Sequence, residues 1–273
     1  MNRGELLAAL AEIGMRPGRG LGQNFLCDAN LLDAIVREAA PQPGETVLEV
    51  GPGFGALTQK LLAAGAHVIA VEFDHRIADY LRKHLKAEPF TLVEADACRV
   101  DLASLLPRDE PFRSIANLPY SISSIFLMRL LELPRLPDGM VFMLQREMAD
   151  RLGAAPGSKD YGALSVRIQF DYRVKIVRAV PPEVFYPPPE VDSAVVSFTR
   201  LPREADARFR RHLAGVVRTA FAQRRKQMGR VLAANFGREK VEAALAAVGI
   251  PWEIRPDRVP VETFVALTER LYS

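Results

Sequence analysis

The residues best suited to chemistry in this chain are four in a row, Asn117-Leu118-Pro119-Tyr120, which follow a predicted strand over 114–116. The Asn117 side-chain oxygen and the Leu118 carbonyl could both accept hydrogen bonds from an exocyclic amine. Pro119 fixes the turn, and Tyr120 offers an aromatic ring for stacking. The motif therefore suits a planar amine such as adenine N6, although an Asx-type turn after a buried strand is the simpler interpretation of these residues alone.

A glycine-rich turn follows an earlier predicted strand, Thr46–Val50. The turn, residues 51–55, leads into an apolar-periodic segment over 56–62, as in nucleotide-binding strand–turn–helix units. Its spacing lacks the third glycine of the dinucleotide fingerprint, and the acidic Glu49 before it would repel a phosphate and suit a cation. The pattern favours a sulfonium cofactor over NAD, with a purely structural turn as the alternative.

Two further predicted strands are each followed directly by an acidic residue. The strand His67–Val71 is followed by Glu72, about 20 residues after the glycine loop, where a carboxylate can accept both hydroxyls of a ribose. The strand Thr91–Ala95 is followed by Asp96. Because the carboxyl ends of parallel strands share one edge of a sheet, we expect the loop, both acids and Asn117 to line one nucleoside-shaped crevice. Either acid taken singly could instead cap a helix or lie in solvent.

Composition limits the class of protein. The 273 residues suffice for one α/β domain and a small second module. No apolar run approaches the roughly 18 residues of a membrane helix, and Met1–Gly14 shows no secretory leader. We therefore expect a soluble, cytoplasmic monomer with no membrane partner. Cys27 and Cys98 match no metal or redox spacing and the four histidines are not paired, so we predict reduced thiols and no metal site.

Periodic apolar segments predict the elements that position these residues. Strand–helix alternation from Val47 to about Gln145 is followed by two strands joined through a proline-rich segment, which we interpret as a closing antiparallel hairpin. The sequence thus predicts a mostly parallel α/β domain over 1–201 and a small helical domain over 202–273. Predicted helices cover 4–14, 29–40, 207–235, 240–248 and 261–271, and the last three predicted strands cover 140–144, 172–180 and 192–199.

The start of the second domain is basic. Between Arg203 and Lys240 the chain has 11 Lys or Arg against 3 Asp or Glu, whereas the whole chain has a net charge of +3. The densest point, Arg224-Arg225-Lys226, suits phosphate groups. A solvated helix face explains most charge runs, but the base-binding motif in the neighbouring domain favours nucleic acid here.

Four motifs together resemble the bacterial KsgA/RsmA ribosomal RNA adenine dimethyltransferases. They are Leu21-Gly22-Gln23-Asn24-Phe25-Leu26, Glu49-Val50-Gly51-Pro52-Gly53, Asn117-Leu118-Pro119-Tyr120 and Val184-Phe185-Tyr186-Pro187-Pro188-Pro189-Glu190-Val191-Asp192-Ser193-Ala194. The segment Phe221–Lys226 favours the small-subunit branch. The resemblance covers nearly the whole chain and implies a Rossmann-like class I methyltransferase fold with S-adenosylmethionine as methyl donor. It also implies N6,N6-dimethylation of two adjacent adenosines near the 3′ end of 16S ribosomal RNA in the small ribosomal subunit.

The resemblance implies roles for individual residues as well. Donor contacts carry over to Asn24, Leu26, Gly51, Glu72, Asp96 and Asn117, and the glycine loop adds Gly53. The adenine is held by Asn117, Leu118, Pro119 and Tyr120, and Phe185 stacks on it. Because prolines flank Tyr120 and Phe185, we expect both rings in loops, which favours stacking over core packing. From the charge pattern, we also expect Arg224, Arg225 and Lys226 to contact phosphates of the RNA.

Two other functions stay open. The large-subunit resistance methyltransferases share the glycine loop and an Asn-x-Pro-Tyr motif, but we do not expect them to carry this arginine-rich helical module. The chain could also act mainly as an RNA-binding ribosome-assembly factor. A methylation-dead variant that still binds and releases the immature subunit would reveal that role.

Overall fold

The chain forms two compact units in a computed structural model that describes residues 1–17, 23–86 and 89–273; Leu21 and Gly22 of the first family motif lie outside the described residues. Unit 1 consists of Met1–Ala149 and Lys175–Thr199, and unit 2 of Asp150–Val174 and Arg200–Ser273. The expected second domain, 202–273, lies within unit 2. Unit 2 also takes in 150–174, which the expected boundary at residue 201 left in the first domain.

Most strands of the described chain belong to one large sheet. The strands are β1 (Phe25–Leu26), β2 (Thr46–Val50), β3 (His67–Glu72), β4 (Phe90–Glu94), β5 (Phe112–Asn117), β6 (Gly139–Gln145), β7 (Tyr172–Val180), β8 (Phe185–Tyr186) and β9 (Ser193–Arg200). Seven of them follow the order β4-β3-β2-β5-β6-β9-β7, and β1 pairs with β8 in a separate antiparallel ribbon. Strands β2 to β6 pair in parallel, whereas β9 is antiparallel to β6. This confirms the predicted mostly parallel sheet, with its order switching direction between β2 and β5.

Helices connect these strands and form most of unit 2. They are α1 (Arg3–Glu12), α2 (Ala29–Ala39), α3 (Ala56–Ala63), α4 (His75–His84), α5 (Leu102–Leu105), α6 (Ser123–Leu130), α7 (Arg146–Leu152), α8 (Ala163–Asp171), α9 (Ala207–Phe221), α10 (Met228–Phe236), α11 (Arg238–Ala247) and α12 (Val261–Tyr272). Helices α7 and α8 were not among the predicted elements. Helix α8 belongs to unit 2 because its apolar side chains Val166 and Phe170 pack into the same core as α9 to α12.

The predicted helix over 207–235 is interrupted in the structure. Helix α9 ends at Phe221, and α10 begins only at Met228. The N–H groups of Met228 and Gly229 donate to the carbonyls of Ile254 and Trp252, at 2.7 and 3.2 Å. Tertiary hydrogen bonds thus replace the bonds that would have continued one helix, so the prediction of a single helix is wrong.

Burial makes the large sheet a rigid support. The side chains of β6 are buried from Gly139 to Leu144, as expected for a central strand covered on both faces. Helix α2 packs its apolar stripe into the same core and is capped by Asp28, whose carboxylate accepts from the Leu31 N–H at 2.8 Å. Side chains that follow the strands are therefore held in fixed positions.

Several other features of the described residues bear on function. None of their helices is both long and apolar enough to cross a membrane. Cys27 and Cys98 are free thiols, as predicted. No group of three or more His, Cys, Asp or Glu side chains suited to a metal ion occurs in that part of the chain.

Candidate active site

The candidate site lies in unit 1 at the carboxyl ends of β2, β3 and β5. Strand β2 pairs with β3 on one side and with β5 on the other, so the sheet reverses its order at this point. Asn117 at the end of β5 therefore lies at the same edge as the loop after β2, as predicted. Two neighbouring cavities of about 90 and 190 Å³ open there, and both have Gln23, Gly51, Glu72 and Pro119 in their walls.

The two cavities bring together nearly all the residues predicted for the donor and the target base. Asp96 lies in the wall of the second cavity. Phe185 lies in neither wall. The wall of the first cavity includes Asn24, Leu26, Glu49, Gly51, Gly53, Glu72, Asn117, Leu118, Pro119 and Tyr120.

The glycine loop is held against the other motifs by close backbone contacts. Gly51 has a φ of 67°, and a Cβ there would lie 3.0 Å from the Pro119 ring carbons Cγ and Cδ. Gly53 has a φ of 55°, and its Cβ would lie 3.1 Å from the Phe25 ring. A side chain at either position would strain the backbone and push the motifs apart. The glycines therefore allow these three motifs to meet.

Asn117 is oriented by a hydrogen bond to the first family motif. Its side-chain nitrogen Nδ2 donates to the backbone carbonyl of Asn24 at 3.1 Å. The Pro119 carbonyl accepts bonds from the Ile122 N–H and the Ser123 hydroxyl, which begin α6. Asn117 and Leu118, which carry the two acceptors predicted for an amine, both lie in the wall of the first cavity.

Tyr120 is anchored through its hydroxyl group, which is hydrogen-bonded to the hydroxyl of Ser193. Ser193 is fully buried and begins β9, where it lies opposite Gln145 of β6. Burial raises the pKa of Tyr120, while the Ser193 hydrogen bond acts in the opposite direction, so the phenol stays protonated at neutral pH. The sequence analysis quoted Ser193 within a motif but assigned it no role. The structure shows that it fixes the Tyr120 side chain.

Glu72 is fixed at the wall that the two cavities share. Its Oε1 atom accepts from the N–H groups of Phe73 and Asp74, both at 2.8 Å. Burial raises the pKa of Glu72, and the N–H groups of Asp74, Phe73 and Gly53 oppose that change. The carboxylate is thus pre-oriented by backbone donors before any ligand binds.

Asp96 also bonds to its own turn. Its Oδ1 accepts from the Cys98 N–H at 2.8 Å, and Oδ2 lies 3.5 Å from Nε of the exposed Arg99. The carboxylate nevertheless lines the second cavity. Asp96 therefore caps its own turn and also lines the second cavity.

Glu49, the acid before the glycine loop, lies in the interior of unit 1. The side chain is buried, and its Oε2 accepts from the Thr58 hydroxyl at 2.7 Å. Burial raises the pKa of Glu49 to about 8; the Thr58 bond opposes this, and the nearby Glu72 adds to it. Burial therefore favours the protonated, neutral form of Glu49 near neutral pH.

Two aromatic residues differ from what the sequence suggested. Phe185 lies in β8, pairs with Leu26, and is only 4% exposed in the core of unit 1. The expectation that its flanking prolines leave it in a loop is wrong, because those residues form a ribbon with β1. Phe73, by contrast, is 65% exposed and lines the second cavity. Phe73 was not among the predicted site residues, although its position directly after Glu72 places it at the same edge of the sheet.

The basic residues of unit 2 are not equivalent. Arg224, Arg225 and Lys226 are all exposed, and Arg224 in addition donates to the carbonyls of Ser158 and Lys159. Other cations of the same basic stretch are used within the fold, such as Arg210, which forms an ion pair with the buried Asp171 (2.9 Å). Nine of the eleven Lys and Arg residues between Arg203 and Lys240 are nevertheless exposed, so most of the predicted positive charge lies on the surface.

Comparison with known proteins agrees with this geometry and with the resemblance found in the sequence. Residues 17–272 match the model of the family described as ribosomal RNA adenine dimethylase. Ribosomal RNA small subunit methyltransferase A from Alcanivorax borkumensis is 41% identical over 255 residues, which cover 92% of this chain and 89% of the relative.

Two crystal structures are similar over most of the chain. A dimethyladenosine transferase from Plasmodium falciparum has a TM-score of 0.73 at 25% identity and covers 89% of this chain and 95% of its own. The 23S rRNA methyltransferase ErmE has a TM-score of 0.67 at 29% identity, with 92% and 100% covered. Sequence, fold and site together show that the chain belongs to the ribosomal RNA adenine dimethylase family and is a methyltransferase.

Proposed function

We propose that the protein transfers methyl groups from S-adenosylmethionine to N6 of two adjacent adenosines near the 3′ end of 16S ribosomal RNA, dimethylating each. The observation that carries the proposal is the bond between Asn117 Nδ2 and the Asn24 carbonyl, which leaves the Asn117 oxygen as an acceptor in the cavity wall. The small-subunit relative at 41% identity supports 16S over 23S ribosomal RNA, since the 23S enzyme is 29% identical.

The chemistry of the two cavities fits S-adenosylmethionine. Glu72 would accept the ribose hydroxyls, and the exposed Phe73 would stack on the adenine ring beside Asp96. The backbone at Gly51 and Gly53 would contact the methionine portion in the first cavity. When bound, the donor supplies an electrophilic methyl group on a sulfonium.

The residues at the end of β5 would activate the target amine. The lone pair of adenine N6 is delocalised into the ring, so acceptors on both of its hydrogens favour the pyramidal form that can attack. Asn117 Oδ1 and the Leu118 carbonyl provide those acceptors, and their dipoles face the positive charge that develops on nitrogen. Tyr120, fixed by Ser193, would stack on the base. No strong base is required, because the proton can leave to water after transfer.

Unit 2 would hold the RNA through its backbone. Arg225 and Lys226 are exposed cations suited to phosphate groups, and contacts of this type position RNA without reading its sequence. Arg224 would contribute indirectly, by holding the segment at Ser158 and Lys159. RNA binding and methyl transfer would thus depend on different residues.

Mass mapping of methyl groups tests this function. Immature small subunits and large subunits are incubated separately with the protein and S-adenosylmethionine, and their RNA is digested and analysed. The proposal predicts two methyl groups on each of two adjacent adenines near the 3′ end of 16S ribosomal RNA. Methyl groups on large-subunit RNA instead, or none on either RNA in the presence of bound donor, would contradict it.

A further inference from the structure

Two buried carboxyl groups line the first cavity. Glu49 at β2 is 1% exposed, and Glu72 at the end of β3 is 7% exposed. Neutral donors bond to them, the Thr58 hydroxyl to Glu49 and backbone N–H groups to Glu72. Within 1–17, 23–86 and 89–273, no Lys, Arg or His side chain forms an ion pair with either. Buried charges are normally paired, so this cavity is suited to a positively charged ligand.

The charged groups around Glu49 do not offset the negative charge that its ionised carboxylate would carry. Glu72 on β3 is the ionisable group whose charge acts on it, and this charge favours the protonated form of Glu49. Beyond Glu72, Asp74 is paired with Arg76 at 2.8 Å. The amino group of Met1, on a residue in the wall of the same cavity, lies 3.8 Å from Glu5.

Neutral polar side chains also lie near the two carboxyl groups. Asn117, from β5, and Thr58, from α3, are neutral. The empty cavity therefore favours one protonated and one ionised carboxyl group, as is usual for two acids that share a site.

We propose that Glu49 senses the charge of the methyl donor: it holds a proton in the empty cavity and releases that proton to solvent when the positively charged donor binds. The inference rests on the proposed function, in which that donor is S-adenosylmethionine. The sulfonium, ammonium and carboxylate groups of the donor give it a net charge of +1, whereas the product S-adenosylhomocysteine has a net charge of zero. Only the donor therefore supplies the positive charge that an ionised Glu49 requires.

The same change would favour release of the product. On donor binding the O–H bond of Glu49 breaks and the proton passes to the buffer. After methyl transfer the sulfonium charge is gone, and Glu49 takes a proton back from solvent. An ionised carboxylate that attracted the donor then becomes a neutral carboxyl, which has no such attraction for the product. Glu49 would thus contribute to discrimination between two ligands that differ by one methyl group and one charge.

A pH dependence of binding follows. If the donor binds only to the ionised form of Glu49, its affinity should rise by up to about tenfold per pH unit below the pKa of that group and level off above it. The affinity for S-adenosylhomocysteine should change less over the same range. The ratio of donor affinity to product affinity should therefore increase from pH 6 to about pH 8.

Isothermal titration calorimetry in two buffers of different ionisation enthalpy measures the protons released. Both ligands are titrated at pH 7 into the wild type, into Glu49→Gln and into Glu45→Gln. In Glu49→Gln the new amide oxygen could still accept the Thr58 bond. Glu45 is a matched control because it is a partly buried acid of unit 1 whose ion pair with Arg113 lies outside both cavities.

The wild type and Glu45→Gln should release more protons with S-adenosylmethionine than with S-adenosylhomocysteine, by up to about one per site. Glu49→Gln should lose this excess. An equal release for both ligands in the wild type, or an excess that persists in Glu49→Gln, would overturn the inference. Failure of S-adenosylmethionine to bind the wild type at all would instead contradict the proposed function.

Thr58→Val provides an independent test that leaves the carboxyl group in place. The Thr58 hydrogen bond favours the ionised form of Glu49, so its removal should shift the pH profile of donor affinity to higher pH. An unshifted profile in a folded variant would overturn the inference even if Glu49→Gln failed to fold.

Discussion

Asn117 at the end of β5 and Asn24 before β1 are joined by a hydrogen bond of 3.1 Å, although they are 93 residues apart. The Asn117 nitrogen is the donor, and the backbone carbonyl of Asn24 is the acceptor. Since the amide nitrogen is occupied, the amide oxygen is turned the other way, where it can accept from a ligand. The first family motif thus determines which atom of the Asn-Leu-Pro-Tyr motif is available for chemistry.

Removal of the Glu72 carboxylate should weaken donor binding. Glu72→Ala would lose charge-assisted hydrogen bonds worth about 1.5 to 3 kcal/mol each, so the Kd for S-adenosylmethionine should rise at least about tenfold. Calorimetric titration measures this. Glu94→Ala is the matched control, because Glu94 is the register partner of Glu72 on β4 and forms an ion pair with Arg82. If folded Glu72→Ala binds the donor as tightly as the control, Glu72 does not belong to the site.

Ser193 should act on methyl transfer only through Tyr120. Tyr120→Phe and Ser193→Ala each remove the same hydrogen bond, whose worth of about 0.5 to 1.5 kcal/mol corresponds to a rate loss of about two- to twelvefold. The double variant should be no slower than the slower single variant, and donor affinity should not change. Tyr120→Ala should cost more, about 1 to 3 kcal/mol of stacking. Single-turnover methyl-transfer rates on small subunits complete this double-mutant cycle. If the free-energy losses of the two single variants add in the double variant, the two residues act separately.

Arg225 and Lys226 should determine part of the salt dependence of RNA binding. Phosphate contacts release counterions, so changing both residues to Ala should lower the log–log salt slope by about 1.4 to 1.8 units. The double variant Arg238→Ala/Lys240→Ala removes the same charge from exposed positions of unit 2, where Arg238 is paired with Glu242. Small-subunit binding is measured across a salt series. If log affinity falls with log salt at the same slope for wild type and Arg225→Ala/Lys226→Ala, the RNA docks elsewhere.

Glu49 should make stability depend on pH. Its folded-state pKa of about 8 is above the ordinary value of 4.5, so the folded protein holds the proton more tightly than the unfolded chain does. The free energy of unfolding should therefore decrease as pH rises from about 4.5 to about 8 and then level off. Glu49→Gln should flatten this dependence in denaturant unfolding curves measured from pH 5 to 9. Identical pH profiles for wild type and variant would show that the carboxyl group ionises freely in the folded protein.

Much of the fold and site could be predicted because short-range patterns determine it. The predicted bounds of β2 and β7 match the structure, since an apolar run defines the central strand β2 and turn or proline residues limit the edge strand β7. Glu72 and Asn117 share an edge because parallel topology requires it. The β1–β8 ribbon could not be predicted, because two-residue strands that lie far apart in sequence have no periodicity to detect.

Other features depend on tertiary contacts. The break between α9 and α10 requires the Trp252 and Ile254 carbonyls, which lie about 25 residues further along the chain. The burial of Phe185 follows from the ribbon, and the protonation of Glu49 follows from its burial beside Glu72. None of these contacts can be detected in the local sequence around the residues they affect.

The central claim is that Asn117 accepts from the target amine as N6 becomes positively charged. Single-turnover methyl transfer to immature small subunits tests it directly, with wild type, Asn117→Ala and Asn235→Ala. Asn235 is the control, because it is an exposed amide of unit 2 that is bonded to Thr219. We expect the Asn117→Ala rate to fall by about a hundredfold or more, with far smaller changes in subunit and donor affinity, while Asn235→Ala stays near the wild-type rate. A near-normal rate for folded Asn117→Ala would contradict the account.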